Sequence, residues 1–197
     1  MALSSRIRAL LGLLALLSAE AVPAAPGGHP AISVYGGWFT HNNWEEFFKP
    51  GGEIEYDDAW LLAVAPAWVF ASPDPRWGTE VEGQIVRFFG EQRHWEVNAA
   101  YAFRWRAFPW DRVLDTSAAF GSGPSWATRR PELEKEINPN RETERFLVYW
   151  FLEGTAAAPS WDRWAVTLRL HHRSGAFGVV AENGGSNVLS LGIKRGF

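Results

Sequence analysis

The chain has 197 residues, with 19 Lys and Arg against 22 Asp and Glu, 12 Trp and no Cys. The length fits one domain, the near-neutral charge argues against a nucleic-acid binder, and the missing cysteine excludes disulfides, thiolate zinc sites and thiol nucleophiles. Aromatic residues make up 15% of the chain, and such an excess of Trp is typical of membrane interfaces.

Residues 1–25 are predicted to be a secretory signal peptide. Arg6 and Arg8 form a positive start, an apolar stretch runs to Ala19, and small residues suited to cleavage follow. The apolar stretch is shorter than the ~20 residues of a transmembrane helix. We therefore expect an exported protein whose mature part, residues 26–197, is a single domain.

The rest of the chain alternates between apolar and polar residues with a period of two. The clearest example is the segment from His94 to Arg106, in which Trp95 and Trp105 bound an apolar face. Such a face, with Trp at both ends, is typical of a strand that faces lipid. Eight segments of this kind lie near 31–40, 59–71, 79–89, 94–105, 112–121, 144–155, 164–174 and 187–197.

The connections between these segments alternate in length, except that residues 90–93 are a short connection where a long one is expected. Those at 41–58, 122–143 and 175–186 are long, whereas the others are short. Long extracellular loops and short periplasmic turns are typical of outer-membrane barrels. The sequence therefore predicts an all-β fold: an eight-stranded antiparallel transmembrane β-barrel of the bacterial outer membrane. A secreted soluble barrel is the alternative, because eight strands would also permit it.

Tryptophans near both sets of connections predict two aromatic girdles. They are Trp77, Trp110, Trp161 and Trp164 beside the short turns, and Trp44, Trp95 and Trp126 toward the long loops. The last strand carries Leu189, Leu191, Ile193 and Phe197 on one face, interrupted by Arg195. A terminal Phe on such a strand resembles the signal that the barrel assembly machinery recognises, so we expect that machinery to be a partner.

The interior of an eight-stranded barrel has room only for side chains. Glu80, Glu82 and Gln84 of the third segment can face Glu96, Asn98 and Arg104 of the fourth. Buried charges need partners, so we expect a packed polar core rather than a pore, with His94 and Glu153 as further structural residues.

The candidate chemistry lies at the end of the seventh segment. His172 and Ser174 share its lipid-facing side, near the outer-leaflet head groups, whereas Arg169, His171 and Arg173 face inward. A histidine beside a hydroxyl is the pair that nucleophilic catalysis requires, although polar residues at a membrane interface are also ordinary. His171 and His172 point to opposite faces and therefore do not suggest a metal site.

Two other groups of residues have ordinary explanations. The segment Gly121–Ser125 lacks the order of a nucleophile elbow and is interpreted as the start of a loop. Loop cations could pair with lipid phosphates, but we favour solvated charges balanced by nearby acids. The cations are Arg129, Arg130, Lys135 and Arg141, and the acids are Glu132, Glu134, Glu136 and Glu142.

The chain resembles the outer-membrane lipid A deacylases. The resemblance rests on the signal peptide, the His-x-Ser of the penultimate strand, and the loop rich in Asn and Gly that leads to a final strand ending in Phe; the segments 80–95 and 171–187 carry the wider pattern. It implies an ester hydrolase that removes an acyl chain from lipid A in the outer leaflet, without a cofactor. His172 would be the general base and Ser174 the nucleophile.

The sequence departs from the family pattern at two positions of the site. The family has a Glu about twelve residues after the Ser, where this chain has Ser186, and an Asn directly after the Ser, where this chain has Gly175. The resemblance then leaves Glu182 to orient His172. Oxyanion donors would come from the backbone of Gly175 or Ala176, or from the side chains of Asn183 or Asn187. A non-catalytic outer-membrane barrel, structural or lipid-binding, is the second hypothesis, and a soluble periplasmic binding barrel is a third.

Overall fold

The computed structural model describes residues 28–137, 143–176, 178–181 and 185–197. The predicted signal peptide, residues 1–25, lies outside the described residues. Across the described part of the chain there are eight strands: β1 (Gly28–Thr40), β2 (Tyr56–Phe70), β3 (Trp77–Gly90), β4 (Trp95–Trp105), β5 (Asp115–Ala127), β6 (Phe146–Ala157), β7 (Trp164–Ser174) and β8 (Gly185–Gly196). A 3-10 helix, Trp44–Phe48, follows β1, and the short helix α1, Glu132–Ile137, follows β5.

Each strand pairs antiparallel with the next, and β8 pairs with β1 to close the barrel. The residues along a strand alternate between buried and exposed, as expected in a closed barrel, because a period-two strand puts one face inside and the other outside. Strand β4 alternates between exposed and buried residues over its full length, with Trp95 and Trp105 outside. The predicted eight-stranded antiparallel barrel is confirmed.

Strand β5 is displaced from its predicted position. The segment near 112–121 was expected to be the strand, but β5 runs from Asp115 to Ala127, so the interpretation of Gly121–Ser125 as the start of a loop is wrong. A Cβ on Gly123 would lie 2.2 Å from the carbonyl oxygen of Ala99, so this glycine permits close approach of two strands. Pro124 lies where the pairing with β4 is interrupted, which is where a strand tolerates a residue without an N–H.

Ion pairs fill the middle of the lumen. The Arg169 guanidinium lies 2.6 Å from Glu82 and 2.5 Å from Glu153, and Arg104 lies 2.6 Å from both Glu80 and Glu153. All five side chains are buried. The predicted packed polar core, with Glu153 as a structural residue, is confirmed.

Helix α1 closes the end of the barrel that carries the long connections, which we call the loop end. Leu133 packs in the same apolar cluster as Phe39 and Phe88. Glu134 is 1% exposed and accepts hydrogen bonds from Arg173 at 2.8 Å and Ser186 at 2.9 Å. The prediction that Glu134 is a solvated loop charge is therefore wrong, because the helix carries it into the lumen.

The other loop charges are partly described. Arg130 and Glu144 form an exposed ion pair at 3.5 Å. The side chains of Lys135 and Glu136, and the whole of Arg141 and Glu142, lie outside the described residues.

The outer surface is apolar and aromatic. Trp95 and Trp126 are exposed toward the loop end, and Trp110 and Trp161 are exposed at the opposite end, which we call the turn end. Arg195 lies over the rings of Trp164 and Phe197, 5.2 and 4.9 Å from their centroids, so the cation on this face is covered by aromatic rings. Among the described residues, no helix is long and apolar enough to cross a membrane.

Candidate active site on the outer wall

His172 lies on the outer face of β7, opposite Trp150 of β6 and Asn187 of β8. It is nevertheless only 8% exposed, because the ring of Trp150 lies 4.3 Å from its ring and Trp44 packs edge-on against Trp150 at 5.7 Å. Trp44, which was predicted to belong to the aromatic girdle, is 37% exposed and also packs against this neighbour of His172. The histidine therefore lies in a recess of the outer wall.

The side chain of Asn187 fixes the imidazole of His172. Its Oδ1 lies 2.7 Å from His172 Nδ1, and its Nδ2 donates to the carbonyl oxygen of Asn42 at 2.8 Å. A carbonyl oxygen only accepts, so Nδ2 must face Asn42 and Oδ1 must face the histidine. His172 then carries its proton on Nδ1, which leaves Nε2 with the lone pair that a general base needs.

Ser174 is the last residue of β7 and lies on the same face as His172. The strand rise puts the two Cα atoms about 7 Å apart. The Ser174 hydroxyl accepts the N–H of Ala176 at 3.4 Å, and within the described residues no hydrogen bond joins it to His172. The structure brings the predicted base and nucleophile to one face, as neighbours rather than as a bonded pair.

The remaining predicted site residues are placed as follows. Glu182 and Asn183 lie outside the described residues, so their predicted roles stay predictions. Gly175 is buried, and its carbonyl oxygen accepts the N–H groups of Val180 and Ala181 at 3.1 and 3.2 Å. Asn187 lies beside the histidine, where its amide is engaged with His172 and Asn42.

His171 lies on the other side of the wall from His172. It is fully buried in the lumen, with Nε2 3.4 Å from the Glu96 carboxylate, and His94 lies 2.9 Å from the same residue. The predicted opposite orientation of the two histidines is confirmed. Among the described residues, no group of His, Asp or Glu has the arrangement of a metal site.

Sequence reasoning missed the contact between His172 and Asn187. If the predicted segments 164–174 and 187–197 are paired end to end, His172 lies opposite Leu189. The strand β8 in fact begins at Gly185 and shifts the register by two residues, which brings Asn187 to His172. The available signal was a polar Asn followed by an apolar alternating strand, but the length of the loop concealed the register.

No family model and no curated protein matches this chain. Among solved structures, it superposes on the crystal structure of the outer membrane enzyme PagL with a TM-score of 0.57 at 12% sequence identity, covering 84% of this chain and 98% of that one. The COG4313 outer membrane channel from Pseudomonas putida F1 gives a TM-score of 0.39 at 11% identity, covering 91% and 98%. Only the first likeness has a TM-score high enough to be informative, and at 12% identity it concerns the fold alone. The chain has the fold of an outer-membrane β-barrel.

Proposed function

We propose that this protein is a serine esterase of the bacterial outer membrane that removes an acyl chain from lipid A. The observation that carries the proposal is the hydrogen bond between His172 and Asn187, which fixes a basic Nε2 on the same outer face as Ser174. The resemblance of the sequence to lipid A deacylases and the fold shared with the outer membrane enzyme PagL support it.

The outer wall is a suitable place for this chemistry. Polar side chains that face lipid are costly, and where they occur they commonly serve a function. His172, Asn187 and Ser174 lie at the loop end of a surface that is otherwise lined with exposed apolar residues. An ester in the outer leaflet would meet them from the lipid side.

The reaction would proceed in two acyl-transfer steps. His172 Nε2 takes the hydroxyl proton of Ser174 while Oγ attacks the ester carbonyl, and the protonated imidazole then gives that proton to the departing alkoxide. Water attacks the acyl-serine, again with His172 as the base, and releases the fatty acid. Substrate binding must bring Ser174 Oγ to Nε2, since catalytic hydrogen bonds are often formed only in the complex.

In this proposal Asn187 takes the orienting place that an acid has in serine triads. A side-chain amide can do so because the task is to hold the Nδ1–H tautomer, and cysteine proteases use a Cys-His-Asn set. The backbone N–H of Gly175 remains our proposed oxyanion donor. Glu182 remains the alternative orienting residue.

The alternative function is a non-catalytic structural or lipid-binding barrel. One observation favours it: the described residues show no hydrogen bond between Ser174 and His172. A barrel without catalysis could keep both residues as interfacial polar groups.

Mass spectrometry of lipid A separates the two functions. Cells that express the intact protein should lose one acyl chain from lipid A, whereas cells with Ser174→Ala or His172→Ala should not. Ser122→Ala is the matched control, because it alters another half-buried serine of a strand. Lipid A that is unchanged by the intact, folded barrel would support the non-catalytic function.

We also propose that the C-terminal strand is recognised by the barrel assembly machinery. Leu191 and Ile193 are exposed on the face of β8 that leads to Phe197. Deletion of Phe197 should lower the amount of folded barrel in the outer membrane, measured as the heat-modifiable band. An unchanged amount would contradict this partner.

A further inference from the structure

The loop between β1 and β2, residues 41–55, is folded against the outer wall rather than extended away from the barrel. The side chain of Asn42 closes it, since Nδ2 donates to the carbonyl oxygen of Glu53 at 3.0 Å and Oδ1 accepts the N–H of Glu55 at 2.8 Å. Trp44 packs edge-on against Trp150. The loop is therefore a built element, and the carbonyl of Asn42 ties it to Asn187.

A groove of about 650 Å³ lies between this loop and the wall. Phe47, Phe48 and Ile54 form its roof, and the outer faces of β4 to β8 form its floor, with Phe120 and Leu152 near the middle. The lining is almost entirely apolar. A roofed groove of this kind differs from the open apolar surface that the rest of the barrel presents.

The groove lies next to the candidate active site. Leu170 and Leu189 both line it. Leu170 lies two residues from His172 on β7, and Leu189 lies two residues from Asn187 on β8, in each case on the same face of the strand. Because strand residues two apart are neighbours on one face, the apolar floor continues directly from the polar pair.

The groove extends from Leu170 and Leu189 to a glycine, Gly154. Gly154 of β6 lies opposite Leu168 of β7 and Ala118 of β5, and all three line the groove. A Cβ on Gly154 would meet nothing within 4 Å, and its backbone has no positive φ. Leu168 is six residues from Ser174, which places this part of the floor about 20 Å from the nucleophile along the strand.

We propose that this groove holds the acyl chain of the ester that Ser174 attacks, and that Gly154 leaves room for the end of that chain and so sets its maximum length. The inference rests on the proposed function. The occupant is a fatty acyl chain because the groove is apolar, opens on the lipid-facing wall, and has in its floor Leu170, the neighbour of His172 on the outer face of β7. Phe47 and Phe48 hold the chain against the wall.

The test compares Gly154→Leu with Gly83→Leu. Gly83 is a matched control because it also lies opposite an alanine, Ala99, and its Cβ would also meet open space. Hydrolysis of p-nitrophenyl esters of increasing chain length is measured in detergent micelles. For the longest ester accepted by the wild type, Gly154→Leu should lower kcat/KM about tenfold or more, since several methylenes lose their site, while short esters and the control stay unchanged.

A second measurement does not depend on catalysis. Ser174→Ala protein is irradiated with a long-chain ester that carries a terminal diazirine, and the labelled peptides are identified by mass spectrometry. Labelling should fall on the segments around Phe48 and Gly154, and Gly154→Leu should move it toward Leu170. Equal chain-length profiles for both leucine variants, or labelling spread evenly around the barrel, would overturn the proposal. If the wild-type protein hydrolyses no ester but the probe still labels the groove, the proposed esterase function is wrong and the groove binds lipid without catalysis.

Discussion

The lumen and the outer wall of this barrel use polar residues in different ways. In the lumen, Arg169 and Glu153 are each held by several short ion pairs. On the wall, within the described residues, His172 has a single hydrogen-bonded partner, Asn187, and Ser174 has one long hydrogen bond, from the N–H of Ala176. The charges of the lumenal groups neutralise one another, whereas these described polar groups on the wall are neutral and have fewer hydrogen-bonded partners. The comparison therefore separates residues that maintain the fold from residues that we expect to act on a substrate.

The largest effect on the fold is expected from Arg169→Met. The change leaves Glu82 and Glu153 with a buried charge and fewer partners, and breaking one side of a buried pair costs about 3–5 kcal/mol. The loss of stability is measured as the change in the free energy of unfolding, from urea titration in detergent micelles. Arg112→Ala, at an exposed turn position, should change it by less than about 0.5 kcal/mol. Equal effects of the two changes would contradict the stabilising role of the lumen.

The next effect concerns activity rather than stability. Asn187→Ala should lower kcat by roughly 10²–10⁴-fold, because His172 loses the group that holds its tautomer. Asn187→Asp should retain more activity, since a carboxylate still accepts from Nδ1. Glu182→Gln should retain nearly full activity, and a loss there comparable to Asn187→Ala would transfer the orienting role to Glu182.

A smaller effect is expected where helix α1 enters the lumen. Glu134→Gln keeps the shape of the side chain but removes the charge that accepts from Arg173 and Ser186. Hydrogen bonds to charged groups contribute about 1.5–3 kcal/mol, so urea stability should fall by about 2 kcal/mol. Glu132→Gln, on the exposed side of the same helix, is the control, and an equal loss in both would show that the contact with Arg173 contributes nothing.

The smallest effect is expected from Trp44→Ala. Edge-to-face aromatic pairs contribute about 0.5–1.5 kcal/mol beyond their area, so the barrel should lose little stability while the loop loosens from Trp150. Hydrolysis of long-chain esters should weaken more than that of short ones, because the roof of the groove is displaced. Trp161→Ala at the turn end should leave the ratio of long-chain to short-chain ester hydrolysis unchanged. If Trp44→Ala also leaves the ratio of long-chain to short-chain hydrolysis unchanged, the loop takes no part in substrate binding.

The barrel was predictable from the sequence because a period of two is a local property. The segment from His94 to Arg106 shows it without any knowledge of its neighbours. The strand that was misplaced is β5, because Gly121, Gly123 and Pro124 have the composition of a turn. In the structure the two glycines permit close packing, and Pro124 lies where the pairing with β4 is interrupted.

The site was predictable only in part, since it depends on non-local contacts. His172 and Ser174 are neighbours on one strand and could be paired from the sequence. The bond to Asn187 requires the register between β7 and β8, and the cover by Trp150 and Trp44 requires the path of a loop. The burial of Glu134 likewise depends on how α1 docks, which its local charge pattern does not indicate.

The most direct test of the central claim is covalent labelling of Ser174. The folded barrel in micelles is treated with an alkyl fluorophosphonate, and the modified residue is identified by mass spectrometry. We expect one adduct, on Ser174, which is absent in Ser174→Ala and strongly reduced in His172→Ala, while Ser122→Ala labels normally. An adduct elsewhere, or labelling of Ser174 that does not depend on His172, would contradict the proposed base and nucleophile.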